Sequence, residues 1–332
     1  YYHFHLVNRL RLVALDRREP AIRGVPVEKP LFIVGLYRTA TTALHGLLAE
    51  DPRHRAPLTW ELLCPTPLHP NARLDRQLRR LRVGLMLWLN RVLIPDQKYA
   101  HAVELDGPEE CFFMLENHFT TSTLFNTFQA HAYAFDLLER DLRPSYRDER
   151  FQLQVLSWRR EPRDWILKSP FHLWHLDDLL DVFPDARIVF THRDVTRALP
   201  SNCSLSAMTT TKFGRAVDLQ VLGDFWRHYY RAGIDRFLGQ RMDLPKEQVF
   251  DVPPALFDRD PEAAVEAIYD HFGWTVTPGF RTRMRAHLQR EASRRRLPHR
   301  YSLAMFGLDR AGIEREFADY SAYMRALDAQ AS

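Results

Sequence analysis

Apolar positions recur every three or four residues over residues 2–15, which predicts an N-terminal helix lying on the main body. After Pro30 the pattern changes. Leu31-Phe32-Ile33-Val34 is a short continuous apolar run, the form of a strand buried on both faces of a parallel sheet. A turn over 35–42 and a helix over 43–50 follow, and Asp51-Pro52 ends the helix. Helical spacing then predominates, predicting helices at 71–94, 108–118, 132–140 and 146–158. The second of these opens with Pro108 and carries acids in its first turn. Strands return at 165–167, 187–190 and 248–252. Helices are predicted at 172–182, from about Asp194 through Pro200, and at 217–237, 262–272, 280–291 and 312–327; Pro200 should kink or shift its helix. Strands alternating with helices indicate an α/β fold, a central parallel sheet covered on both faces. In such sheets ligands bind beyond the carboxyl ends of the strands.

Composition refines this picture only at a few points. The 332 residues suit one large α/β domain with helical additions, and 45% hydrophobic residues allow a sizeable core. Charged residues at 27% argue against wholesale disorder. The formal charge of +4 does not by itself choose among nucleic acid, a membrane surface and a polyanionic small molecule. Cys64, Cys111 and Cys203 are widely spaced and odd in number, with neither a disulfide framework nor metal-type spacing, so a reducing cytoplasm is expected. The most apolar stretch, 83–94, is interrupted by Asn90 and Arg91 and is too short to cross a bilayer. Residues 1–20 lack the apolar run and cleavage site of a secretory signal. No stable membrane insertion is expected.

The chemistry gathers at three predicted strand ends. Gly35-Leu36-Tyr37-Arg38-Thr39-Ala40-Thr41-Thr42 joins a buried strand to a helix, where unpaired backbone N–H groups and the helix dipole form an anion site. Arg38 adds a full charge and the threonines add hydroxyl donors. The Gly-Lys-Ser/Thr ending of nucleotide triphosphatases is missing, which suits a single phosphate better than a triphosphate. Lys168-Ser169-Pro170-Phe171-His172 follows the second strand, and Thr191-His192-Arg193-Asp194 the third. Ser201 stands eight positions past Arg193. Taken singly, Lys168 and Arg193 are better read as partners of nearby acids such as Asp177 or Asp194. Three cations on one sheet edge favour a polyanionic small ligand instead, and no nucleic-acid partner is expected.

This ordered set resembles the PAPS-dependent sulfotransferases, which use 3′-phosphoadenosine-5′-phosphosulfate (PAPS) as co-substrate. The Gly35–Thr42 segment is similar to the family's 5′-phosphosulfate loop, and Arg193 with Ser201 to its 3′-phosphate pair. Lys168-Ser169-Pro170, His172 and Phe183-Pro184-Asp185-Ala186-Arg187 resemble the bacterial branch. So do His299-Arg300-Tyr301-Ser302-Leu303 and Phe306-Gly307-Leu308 near the C-terminus. The similarity covers roughly residues 30 to 325. It implies a P-loop-like sheet in a single domain over 1–332, with a helical extension at 1–29 and a helical insertion at 53–160 on the acceptor side. It also implies cofactor contacts from Arg38, Thr39, Ala40, Thr41, Thr42, Arg193, Ser201, His299 and Arg300, and no metal. Ala40 departs from the family's loop glycine and Tyr37 from its usual proline. Ala43 and Pro254 stand where many members place aromatic residues near adenine.

The implied reaction moves a sulfuryl group onto a hydroxyl of a small-molecule or lipid-like acceptor. Arg38, helped by Thr41, Thr42 and Lys168, is expected at the leaving phosphate. Glu61 is the expected base, by its likeness in position to a family glutamate. The cytosolic members' histidine position holds Pro170, and nearby His172 is the second candidate. The apolar helices at 81–94 and 111–119 are either plain core or the lining of an acceptor pocket. Two rivals remain at this level: a kinase-like phosphotransferase, which would need the missing lysine loop and magnesium ligands, and a PAPS-binding protein without turnover.

Overall fold

The apolar runs at 31–34, 165–167 and 187–190 become strands one or two residues longer, and that at 248–252 one that begins at Val249. The computed structural model describes residues 2–93, 103–293 and 301–330. Its sheet contains β1 (Leu31–Gly35), β2 (His54–Arg55), β3 (Asp164–Lys168), β4 (Arg187–Thr191) and β5 (Val249–Val252), all parallel, in the order β2-β3-β1-β4-β5. Every residue of β1 is buried, as expected for a central strand covered on both faces. Phe32 and Val34 join Leu167, Ile188 and Phe190 in the larger core, while Leu31 and Ile33 join Ile166 and Val189 in the smaller one. The alternation is the period of two that a pleated strand imposes.

The helices in chain order are α1 (Tyr2–Arg18), α2 (Thr41–Leu48), α3 (Thr59–Leu63), α4 (Ala72–Leu93), α5 (Phe112–Glu116), α6 (Thr123–Phe128), α7 (His131–Leu138) and α8 (Arg143–Ser157). After β3 come α9 (Leu176–Val182), α10 (Val195–Lys212), α11 (Leu219–Arg241), α12 (Pro254–Arg259), α13 (Pro261–His271), α14 (Pro278–Ser293), α15 (Arg310–Glu316) and α16 (Ala318–Gln330). Four of them start on an aspartate whose carboxylate accepts from a first-turn N–H: Asp194, Asp218, Asp260 and Asp309. Each such cap contributes about 1 kcal/mol.

Four expectations are corrected. The helix expected from Pro108 begins only at Phe112, because Pro108 bridges Leu58 and the Glu109 N–H donates to Pro57 O at 3.0 Å. The 53–160 segment is not purely helical, since β2 adds an edge strand beside β3. The 172–182 helix is a 3-10 turn over Pro170–Trp174 followed by α9. The 312–327 helix divides at Phe317 into α15 and α16. Pro200 lies inside α10 without ending it, so the helix forgoes one bond to the Thr196 carbonyl there.

Candidate active site

Beyond Gly35 the chain folds back on β4. A Cβ at Gly35 would lie 2.5 Å from Thr191 O and 2.8 Å from Thr39 Oγ1, so only glycine permits this approach. Thr39 is buried. Its hydroxyl donates to Leu36 O at 2.7 Å and lies 2.8 Å from Thr191 Oγ1, so it closes the loop from within. Arg38 and Ala40 take left-handed backbone, with φ of 70° and 67°. Ala40 leads directly into α2, whose first N–H groups have no partner inside the helix.

The sheet register places the cations. Ile33 of β1 pairs with Lys168, and Gly35 pairs with Thr191, so the carboxyl ends of β3, β1 and β4 lie side by side. Lys168 is the last residue of β3, Arg38 stands three past β1, and Arg193 two past β4. Arg38 Nε donates to Ser201 Oγ at 3.1 Å, and Arg193 Nη1 donates to Arg38 O at 3.1 Å. Lys168 Nζ donates to Thr42 Oγ1 at 3.3 Å. The structure thus brings together Arg38, Thr42, Lys168, Arg193 and Ser201, drawn from three strand ends, the start of α2 and the second turn of α10. Behind Arg193, His192 is held between Tyr320 Oη and Asp251 Oδ1, each at 2.9 Å.

The acid that meets this group is Glu110. Its Oε1 lies 2.5 Å from Lys168 Nζ, and the neighbouring Cys111 N–H donates to Lys168 O at 3.1 Å. The sequence pattern hides Glu110 as one of the acids in the first turn of a helix expected from Pro108. The signal that could have found it is the proline itself, which lets the segment pair with Leu58 instead of winding.

Glu61 does not join the cluster. Its carboxylate takes Arg55 Nη2 and Arg160 Nη1, both at 2.7 Å, and accepts the Leu58 N–H at 3.2 Å. Arg55 pairs with Trp165 near the start of β3, and Arg160 lies just before that strand, whereas Lys168 is at its far end. Burial alone would raise the Glu61 carboxyl, but the two arginines outweigh it and hold it below the ordinary value. A carboxylate so engaged is a weak base.

His172 also stands apart. It is wholly buried, with Nε2 3.1 Å from Cys111 Sγ and Nδ1 3.0 Å from Tyr146 Oη. Burial pushes it down to about 3, so it is neutral. Glu149 completes this pocket, and burial lifts its carboxyl to about 8. Among the described residues, Cys111, Glu149 and His172 are a trio that could hold a metal ion, their donor atoms all within 4.8 Å of one another. They lie under the site, in the core. His299 and Arg300 fall outside the described residues. The C-terminal signature that follows them packs a 3-10 turn, Leu303–Phe306, on Gly223 of α11. Of the two apolar helices, α5 buries Met114 and Leu115 as core, whereas α4 turns Leu81, Leu85 and Trp88 outward.

Comparisons with known proteins bear on this arrangement. The chain is 26% identical over 274 residues to an omega-hydroxy-beta-dihydromenaquinone-9 sulfotransferase, Stf3, of Mycobacterium bovis, covering 80% of this chain and 68% of that protein. The Mycobacterium tuberculosis protein of the same name gives the same figures. The fold superposes on the crystal structure of sulfotransferase STF1 from Mycobacterium tuberculosis with a TM-score of 0.82 at 30% identity, over 96% of this chain and 84% of that one. Sulfotransferase STF9 from Mycobacterium avium matches with a TM-score of 0.82 at 29% identity, over 96% and 82% of the two chains. The sheet is accordingly the P-loop-like sheet of these enzymes. With residues 30–278 matching the family model, which takes in β1 through β5 and every cation of the cluster, the chain belongs to the sulfotransferase family.

Proposed function

We propose that the protein transfers a sulfuryl group from PAPS to a hydroxyl of a small-molecule or lipid-like acceptor. The observation that carries this reading is the convergence of Arg38, Lys168 and Arg193 on three adjacent strand ends, with Ser201 Oγ bonded to Arg38. A donor with phosphates on both sides of its ribose asks for two groups of cations and donors bridged by one loop. The left-handed turn at Arg38 and Ala40 carries the chain to the N-terminus of α2, where a 5′-phosphate fits, and Arg193 with Ser201 fits the 3′-phosphate. The name of the mycobacterial relative, a sulfotransferase of a hydroxylated dihydromenaquinone, supports a lipid-like acceptor.

Transfer to an acceptor oxygen needs positive charge at the departing phosphate and a base for the acceptor proton. Arg38 and Lys168 supply the charge. Glu110 takes the place expected of Glu61 as base, because its carboxylate meets one cation, Lys168, in place of two arginines, is less buried, and lies beside the site of displacement. Lys168 then touches Glu110 on one side and Thr42 on the other, which holds the base at the mouth of the loop. The three cysteines are free and buried, in keeping with a reducing cytoplasm.

Calorimetry with 3′-phosphoadenosine-5′-phosphate and with AMP tests the reading. The bisphosphate should bind far better, and Arg193→Ala should erase most of the difference, on the order of 1.5–3 kcal/mol for a charged hydrogen bond. Equal affinities in the wild type would refute it.

A further inference from the structure

Helix α4 is apolar on two opposite sides. Its inner side is anchored: Val83 is buried with Trp60 and Cys64, Met86 and Leu87 pack against them, and Arg79 Nε donates to Cys64 O at 2.7 Å. Asp75 on the same side accepts the Leu68 N–H at 2.6 Å. The outer side carries Leu74, Leu78, Leu81, Leu85, Trp88 and Val92, spaced alternately four and three residues apart, so they form one stripe along the helix. They are exposed, Leu81 at 70%, Leu85 at 61% and Trp88 at 59%. A stripe of this length is larger than the scattered apolar residues of an ordinary surface.

The charges around the stripe select what covers it. Arg73 and Arg82 of α4 flank the stripe on its two sides and are exposed, Arg80 is paired with Asp106 at 2.6 Å, and the helix's own acid, Asp75, is buried. A second copy pairing through α4 would set arginines against arginines with no acid on either helix to meet them. No helix among the described residues is long and apolar enough to cross a membrane. An apolar stripe flanked by arginines, with a tryptophan in it, is the composition of a helix that lies in a bilayer interface, its side chains in the acyl boundary and its guanidinium groups on phosphate. We propose that α4 docks the protein peripherally on an anionic lipid surface. Its inner side packs with Leu105, on the segment that runs on to Glu110.

The inference does not depend on the transfer reaction, so vesicle binding and donor binding can fail separately. The test is co-sedimentation of the whole protein with vesicles of phosphatidylglycerol and phosphatidylcholine, against pure phosphatidylcholine. The protein should sediment with the anionic vesicles. The paired change Leu85→Glu and Trp88→Glu should weaken binding by about tenfold or more, and Arg73→Glu with Arg82→Glu should remove the preference for phosphatidylglycerol. All four positions are exposed, and circular dichroism would verify the fold. Absent binding, or binding that neither pair changes, would overturn the proposal. So would light scattering that shows, without lipid, a dimer dissolved by the Leu85 and Trp88 changes, because the stripe would then belong to a second copy.

Discussion

At the scale of single residues, the loop after β1 holds two residues in a conformation that a Cβ disfavours. Left-handed backbone costs a non-glycine residue roughly 1–2 kcal/mol, and both Arg38 and Ala40 adopt it. Arg38 has a reason, since its backbone turn directs its guanidinium to Ser201 and its carbonyl to Arg193. Ala40 makes no side-chain cap bond, and its carbonyl's bonds from the Ala43 and Leu44 N–H groups would be kept by glycine. Ala40→Gly should therefore raise stability by about 1 kcal/mol, less what glycine's freedom in the unfolded chain subtracts, seen as a higher urea midpoint with an unchanged slope. A lower midpoint would mean that the Ala40 methyl is packed usefully. Glu110 is the second residue-scale case. Glu110→Gln keeps the shape beside Lys168 but removes the basicity, so kcat should fall about 10²–10⁴-fold while the affinity for 3′-phosphoadenosine-5′-phosphate stays within a small factor. Near-normal turnover in that variant would end its assignment as base. The cations of this site were legible because each follows a short apolar run. Glu110 was not, because its role comes from a pairing with residues fifty positions away.

At the scale of elements, periodicity located the long helices and every central strand but passed over the short pieces. α3, α6 and α12 have five or six residues, too few to show a repeat. β2 has two residues and is made a strand only by β3 beside it. These pieces decide where Glu61 goes. α3 begins at Thr59, so Glu61 reaches back to the Leu58 N–H and outward to Arg55 of β2 and Arg160 before β3. The carboxylate ties one helix to the sheet edge. Glu61→Gln leaves two arginines short of their counter-charge, and the loss should be about 3 kcal/mol of stability, at the low end for a broken buried pair. Because the folded carboxyl sits below its ordinary value, that contribution is complete above pH 4.5 and is lost as pH falls through the lowered value. Turnover of the folded variant should be retained. A variant of normal stability but without turnover would instead return Glu61 to the catalytic group.

At the scale of the whole molecule, the architecture was legible because a parallel sheet writes itself as short apolar runs separated by helices, and ligand chemistry then falls at the strand ends. What the pattern could not show is the polar pocket inside the core, since Cys111, Tyr146, Glu149 and His172 come from three separate segments of the chain. Neither Glu149 oxygen makes a hydrogen bond of ordinary geometry, and burial lifts its carboxyl to about 8 from 4.5 against a lesser opposing pull from the Cys111 thiol. The linkage has a definite sign. Between pH 4.5 and 8 the folded protein keeps a proton that the unfolded chain has released, so this residue lowers stability as pH rises, by about 1.4 kcal/mol per unit, and the loss levels off above the folded value. Glu149→Gln removes the titration but leaves an amide in the same apolar surroundings, so the absolute stability of the variant is a poor readout. The difference from wild type is the better one. Urea unfolding from pH 5 to about pH 9 should show that difference growing in the variant's favour up to about pH 8 and constant beyond it. A difference independent of pH would mean that Glu149 is ionised throughout the range, as a carboxylate would be if it shared a cation with Cys111 and His172.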